Sequence, residues 1–394
     1  VAFRRAMKAG FGSTDVVDDE EFARRLHDPP DRVLAAFDRG AIVATYLSFA
    51  TELTVPGGVA VDAGAVTAVT CRATHRRRGI LTEMISRDLA VSKERGEMAD
   101  VLIAAEYPIY GRFGYGPAVW YSDWELDVSV AEFTTPGSGT VEFVDNETFR
   151  KEAPAIFEQV RRARPGMIGR TALEWDMRSD LRRPPESKPW PGFRVLVRDD
   201  AGTAQGWASY VHKENWSDFR PRATAEVADM CSTSPAVEAR LWRFLAELDH
   251  VVTVTAGDRP VDELLPLLLV DGRHARRTAG SDFIWLRPLD VAGLLAARRY
   301  DVAGHVVVDV VDRLGVADGR FALDASPDGA TCVPTTESAE VTLPVATLGA
   351  ASLGGLRLKR MHDAGWCDEH VAGAVDRADA LLATRVPPWC NTWF

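Results

Sequence analysis

The sequence predicts a mixed α/β protein laid out in three stretches. Three observations carry that reading. Val66–Leu89 passes from a β-branched strand through a short basic turn into an amphipathic helix. Ala223–Leu248 repeats the order of strand, turn and helix without the basic residues. From Leu289 to Phe394 the pattern changes to short strands, a hairpin and helices. At 394 residues the chain has room for two or three domains, which the pattern places at 1–132, 133–287 and 288–394.

The first stretch opens in a helix, Phe3–Ala9. Asp15–Glu21 reads as an acidic helix entry, since Asp18, Asp19, Glu20 and Glu21 suit an N-terminus. It is either a capped surface helix or an acidic rim for amine substrates. Asp28-Pro29-Pro30-Asp31 breaks that helix. Strands follow at Arg32–Phe37 and Ala41–Leu53 around the turn Asp38-Arg39-Gly40, and Pro56-Gly57-Gly58 turns the chain again. In the next strand Val66, Ala68 and Thr70 are expected on one face, with Thr67, Val69 and Cys71 on the other. Leu81, Met84, Ile85 and Leu89 give the following helix one apolar face. Asp100–Glu106 reads as a buried strand and Val119–Val128 as another, completing one α/β unit.

The middle stretch has helices at Glu147–Arg162 and Ala172–Met177 and strands at Phe193–Arg198 and Gly206–Val211. The strand Ala223–Met230 and helix Ala236–Leu248 then restate the first unit's order. Between them stands Cys231-Ser232-Thr233-Ser234-Pro235, with no arginine and no glycine. In the last stretch Asp290–Arg298 reads as a helix, and His305–Val311 and Arg320–Leu323 as a hairpin around Gly315–Gly319. Strands at Thr331–Pro334 and Glu340–Thr342 precede helices at Leu343–Leu353 and Val371–Leu382.

Composition narrows the partners. Hydrophobic residues at 46% and charged residues at 26% are ordinary for a soluble globular protein. A net charge of −11 argues against nucleic acid and anionic membranes. A basic loop on an acidic body suggests a small anionic ligand, and the body itself favours a cationic substrate. The five cysteines form no CxxC pair and read as free thiols of a reducing, cytoplasmic compartment. Cys71 lies on the strand before the basic turn, where packing explains it as well as nucleophilic chemistry would. No leader is visible, and no apolar run approaches the ~20 residues of a membrane span. The eight histidines are scattered without metal spacing, so no metal is expected.

The basic turn has a physical use. A helix N-terminus presents unpaired N–H groups and the positive end of a dipole. Gly79 lets an anion approach the backbone, and Arg76, Arg77 and Arg78 add charge. A phosphate or pyrophosphate fits such a turn, although a solvated basic turn would look the same. The chain here has neither GxxxxGK[ST] nor GxGxxG.

Arg76-Arg77-Arg78-Gly79-Ile80-Leu81 resembles the acetyl-CoA signature of the GCN5-related N-acetyltransferases, Q/R-x-x-G-x-G/A. Leu81 departs from it where a small residue is usual. Thr74–Leu81 and Pro108–Ala118 (PIYGRFGYGPA), after the strand DVLIAAE, are similar to blocks of one subfamily, the Eis-type (enhanced intracellular survival) acetyltransferases. The resemblance is tight over Val66–Ala118, moderate at the C-terminus and loose between. It implies two tandem GNAT-like acetyltransferase domains, the second degenerate and unable to bind the co-substrate, then a sterol-carrier-protein-like domain. The last is a likeness of fold and no evidence of lipid binding. An opening strand would then lie upstream of Val1.

The resemblance also implies a site. Acetyl-CoA would pair its pantetheine arm with the edge of the Val66 strand, where backbone N–H groups near Val69, Thr70 and Cys71 polarise the thioester. Its pyrophosphate would lie on Arg76, Arg77, Arg78, Gly79, Ile80, Leu81 and Thr82, with Ala105 and Glu106 flanking the arm. Tyr110 matches the acid position. A phenol, with a reference pKa of about 10, keeps a proton to give at neutral pH. Tyr115 competes, and spacing alone does not choose between them. No side-chain base announces itself; the resemblance offers the terminal carboxylate of Phe394, on a stiff aromatic tail (Pro387–Phe394). A tail buried without catalysis is the alternative. Trp393 stands where an acidic residue would help to bind polyamines. Homohexamers are implied as well. Aminoglycosides, polyamines, peptide lysines and arylalkylamines all remain open as acceptors. A carrier of lipid or another hydrophobic ligand, or a non-catalytic acyl-CoA sensor, is the rival expectation.

Overall fold

A computed structural model describes residues 2–13, 32–183 and 187–394. The acidic helix expected at Asp15–Glu21 and the break at Asp28–Asp31 lie outside them. Two compact units emerge. One holds residues 1–119, 282–388 and 392–394, the other residues 120–281 and 389–391.

The chain opens with α1 (Ala2–Gly10). β1 (Val33–Asp38) and β2 (Ala41–Thr54) form a hairpin. Its two turn residues, Arg39 and Gly40, have φ of 48° and 79°, as a tight primed turn requires. β3 (Ala60–Cys71) runs antiparallel to β2, and α2 (Ile80–Glu94) buries Met84, Ile85 and Leu89 as the periodicity predicts. β4 (Ala99–Ile103) lies parallel to β3. It ends at Ile103, so Ala105 and Glu106 leave the expected strand; Pro108 sits in the first turn of α3 (Tyr107–Tyr110) and commits the chain to a new direction. β5 (Gly116–Pro117) follows.

The second unit contains β6 (Trp120–Asp127), β7 (Thr140–Val144), α4 (Asn146–Ala163), α5 (Ala172–Arg178), β8 (Phe193–Arg198) and β9 (Ala204–Lys213). A small hairpin, β10 (Trp216–Ser217) and β11 (Arg220–Pro221), leads to β12 (Ala223–Ser232), α6 (Pro235–Ala246), β13 (Val251–Arg259) and β14 (Ala275–Asp282). Its seven-stranded sheet has the order β14-β6-β13-β12-β9-β8-β7. β12 and β13 are parallel with α6 between them, the same arrangement as β3, α2 and β4.

The last stretch runs β15 (Ile284–Pro288), α7 (Val291–Ala297), β16 (Gly304–Val311), β17 (Gly319–Ser326), β18 (Gly329–Pro334), β19 (Val341–Pro344), α8 (Val345–Ser352), α9 (Leu358–Asp363), β20 (Asp368–Glu369) and α10 (Ala374–Leu382). The helix expected from Leu343 begins at Val345, because Leu343 and Pro344 belong to β19 and pair with β16. β16 to β20 make a five-stranded sheet of order β18-β17-β16-β19-β20.

The first unit's other sheet, six-stranded, has the order β1-β2-β3-β4-β15-β5. The strand expected over Val119–Val128 therefore does not complete it. That segment forms as β6 in the second unit, and β15 pairs with β4 instead. The reason is amphipathicity. All five residues of β15 are buried, which needs a run such as Ile284-Trp285-Leu286, whereas β6 is largely half-exposed. The buried Arg287 of β15 is matched by Asp312 at 2.8 Å. α8 lies close on this strand because position 349 is glycine: a Cβ there would come within 2.2 Å of the Leu286 carbonyl oxygen.

Candidate active site

β3 and β4 pair from Ala63↔Ala99 to Val66↔Leu102 and no further. β3 continues to Cys71 with β2 on one side and, among the described residues, no strand on the other. That free end is also bent. Between the pairs Thr67↔Leu47 and Thr70↔Thr45, β3 has two residues, Ala68 and Val69, facing the single Tyr46 of β2. Ala68 has φ of 53°, the signature of a bulge in a residue that rarely adopts it. The bulge overturns the expected alternation. Val66, Val69 and Cys71 all meet the core cluster of α2. Thr70 instead touches Gly10 of α1, 2.6 Å from the Thr45 hydroxyl, which donates to the Ala68 carbonyl (2.8 Å).

The turn after β3 leads to an open helix end. Gly79 is the N-cap of α2, with φ of 78° and no side-chain cap. A Cβ added to it would meet nothing within 4 Å. Arg76, Arg77 and Arg78 are exposed beside it. Arg78 donates to the Thr74 carbonyl (2.9 Å), and Arg77 has no hydrogen bond or ion pair among the described residues. His75 braces the turn: its ring contacts the Thr74 hydroxyl (2.8 Å) and the Asp38 carboxylate (3.0 Å). Burial pushes the Cys71 thiol up, despite Arg76 and Arg78 nearby.

The two tyrosines of the PIYGRFGYGPA block are now distinguishable. Tyr115 is fully enclosed, and its hydroxyl donates to Asp100 Oδ2 at 2.7 Å. Tyr110 is 8% exposed and packs edge-on against Tyr115, 6.1 Å between ring centres. Its hydroxyl has no hydrogen-bond partner among the described residues. Burial, and then the charge of Glu106, raise the Tyr110 phenol above its ordinary range.

Tyr110, Val69, Cys71, Ile80 and Leu81 meet in one apolar cluster. Ala105 and Glu106 are exposed and follow Ala104 of the same cluster. Phe394 lies outside it. Its ring stands edge-on to Phe49 (5.5 Å), and Phe49 on β2 pairs with Ala65, one residue before the last β3–β4 pair. Trp393 contacts Phe283 at 4.8 Å. Among the described residues no three histidine, cysteine or carboxylate side chains gather as metal ligands.

Sequence reasoning missed the acids beneath this site. Asp88 accepts from Tyr46 (2.8 Å) and Ser48 (2.8 Å), and burial raises its carboxyl. Its signal was present, because Asp88 interrupts the apolar stripe of Met84, Ile85 and Leu89 with a carboxylate. The Thr45–Thr70 contact and the bulge had no such signal.

In the second unit β12 and β13 part after Val227↔Ala256. There Ser234 caps α6 by accepting from Val237 N, and Glu238 stands in its first turn, paired with Arg259. The helix end that is open in the first unit is closed in this one.

Profile comparison matches a GNAT acetyltransferase domain to residues 1–118, a second to residues 166–287 and a sterol carrier protein domain to residues 291–391. An N-acetyltransferase of uncharacterised role from Streptomyces avermitilis is 43% identical over 99% of this chain and 95% of its own. The N-acetyltransferase Eis of Mycobacterium tuberculosis is 32% identical over 88% of this chain and 84% of its own. The chain belongs to the Eis family of N-acetyltransferases. The crystal structure of Eis1 from Mycobacterium abscessus superposes on this Eis-type chain with a TM-score of 0.87 at 30% identity, covering 100% of this chain and 96% of that one. The chain is thus an acetyltransferase with two GNAT domains and a sterol-carrier-like domain. The GNAT fold implies acetyl-CoA as its co-substrate.

Proposed function

We propose that this enzyme acetylates the amine of a small molecule by direct attack in the first unit, with Tyr110 as general acid and the Phe394 carboxylate as general base. The observation that carries the proposal is the Tyr110 hydroxyl, carried on a buried ring and without a partner among the described residues, in one cluster with the free end of β3 and the open start of α2. These residues fit acetyl-CoA. The open face of Gly79 and the exposed Arg76–Arg78 suit a pyrophosphate. The unpaired edge at Val69, Thr70 and Cys71 offers backbone donors to a pantetheine arm and thioester carbonyl, with Ala105 and Glu106 alongside. Ile80, Leu81 and Thr82 supply the first N–H groups of the helix.

Acetyl-CoA supplies an activated acyl group; the chain must place an amine beside it and manage two protons. A carboxylate of reference pKa ~3.5 does not strip a free alkylammonium; it accepts the proton as the C–N bond forms and the nitrogen becomes acidic. A phenol above its reference value of about 10 stays protonated, and it hydrogen-bonds the sulfur as charge develops there. The closed helix end of the second unit supports assigning catalysis to the first alone. A cytoplasmic location is supported by five cysteines that form no disulfide. Assembly as a homohexamer rests on the family resemblance.

The test is thiol release from acetyl-CoA with aminoglycosides, polyamines, lysine peptides and arylalkylamines, using protein with a native C-terminus. Release that depends on one amine class is expected and names the acceptor. Tight acetyl-CoA binding without release by any amine would replace the proposal with the sensor reading. Absence of binding would replace it with the carrier reading.

A further inference from the structure

The second unit has the same parted strands as the first, and something occupies them. Trp389 donates through Nε1 to the Asp258 carbonyl on β13 (2.7 Å) and through its backbone N to the Pro165 carbonyl (2.9 Å). Asn391 Nδ2 donates to Asp229 Oδ1 on β12 (2.8 Å). The Asn391 carbonyl accepts from Arg170 (3.1 Å) and Arg178 (3.4 Å), and the same two guanidiniums hold Asp229 Oδ2 at 3.1 and 3.4 Å. The Arg170 guanidinium lies 4.2 Å over the Phe157 ring, its side chain wholly buried. Arg259 fills the remaining space, donating to the Met230 carbonyl (3.0 Å), Glu263 (2.6 Å) and Glu238 (2.7 Å), 5.6 Å from the Trp389 ring. Trp389, Cys390 and Asn391 are 5%, 0% and 6% exposed. In the first unit the corresponding gap is the proposed thioester slot; in the second it receives the chain's own tail.

We infer that Arg170, Arg178, Asp229 and Asn391 are positioning residues for the reaction: they clamp the tail so that the carboxylate of Phe394, three residues beyond Asn391, is held rather than frayed. The inference rests on reading Phe394 as the base. Free chain ends are ordinarily poorly ordered, and a base that wanders loses the effective concentration that makes it useful. Arg170, its side chain wholly buried and paired with a carboxylate and a backbone carbonyl, holds one geometry, because any displacement strands a desolvated donor. The second unit is therefore a receptor for the last residues of its own chain.

The full-length protein with a native C-terminus tests this. Asn391→Asp sets a second carboxylate against Asp229, and Asn391→Ala removes only the amide. Carboxypeptidase A trimming, followed by intact mass, reports the tail directly; kcat and the KM for acetyl-CoA report the reaction. Wild-type protein should resist trimming, while Asn391→Asp should lose Phe394 about tenfold faster or more. Its kcat should fall about tenfold or more with the acetyl-CoA KM within about twofold. Calorimetric acetyl-CoA binding verifies the fold, and Asn391→Ala serves if Asn391→Asp does not bind. Protein amidated at Phe394 separates the two ideas. If amidation abolishes turnover but Asn391→Asp is trimmed no faster, or turns over normally, the clamp is overturned and the base stands. If amidated protein keeps its turnover, the base reading falls and the positioning role with it.

Discussion

Tyr110 and Tyr115 lie in one short block, and the proposed acid role rests on how their hydroxyls differ. Tyr115 has given its hydroxyl to Asp100, and Tyr110 has not. Tyr110→Phe should therefore lower kcat by about 10²-fold or more while the acetyl-CoA KM stays within about twofold. Tyr115→Phe should leave kcat nearly unchanged and cost about 1–3 kcal/mol of stability, because Asp100 loses its donor. Steady-state kinetics and thermal melts on both variants check this, and a reversal of the two outcomes would move the acid to Tyr115. The motif placed both rings in the right loop. Nothing in it revealed which hydroxyl was engaged, since Asp100 reaches Tyr115 only once β4 is packed beside the loop.

At the scale of elements, β3 carries both the success and the failure of sequence reasoning. Its β-branched run and the helix after it were legible from periodicity. Its bulge was not, because Ala68 has no propensity for a φ of 53° and is held there by the pairing of β2 on both sides. Below the same sheet, burial and then the charge of Asp88 raise the Asp100 carboxyl well above its usual range. In acid, both folded and unfolded chains carry this proton, and Asp100 costs nothing. As pH rises past ~3.9, the unfolded chain ionises first, so the native state loses stability until its own raised value is passed. Asp100→Asn removes that loss while keeping an acceptor for Tyr115. The variant should gain a few degrees in melting temperature over the wild type at pH 8, and much less at pH 4. Equal shifts at the two pH values would show that Asp100 ionises normally.

Across the whole molecule, none of the five cysteines forms a disulfide, and four are buried while Cys71 is partly exposed. A thiol reagent should find one fast site in native protein and five in denaturant. Acetyl-CoA should slow the fast one, because Cys71 ends the free edge of β3; protection that failed to appear would remove that edge from the slot. The three-stretch layout was legible from composition and element order. Strand exchange between sheets was not: β6 and β15 are both plausible strands, and only the demand for a run buried on both faces assigns Ile284–Pro288 to β4.

That exchange sets the order of events during synthesis. When Val119 leaves the ribosome, β4 is still a bare apolar edge, and its neighbour β15 has not been made. The first sheet must wait, open on that side, while the whole second unit is translated. A fragment cut after Val119 would carry the proposed catalytic loop and a sticky border together, so it should aggregate rather than fold. Truncation at that point should therefore cost the first sheet its fold, and the nascent chain has reason to engage a chaperone until Pro288 is in place.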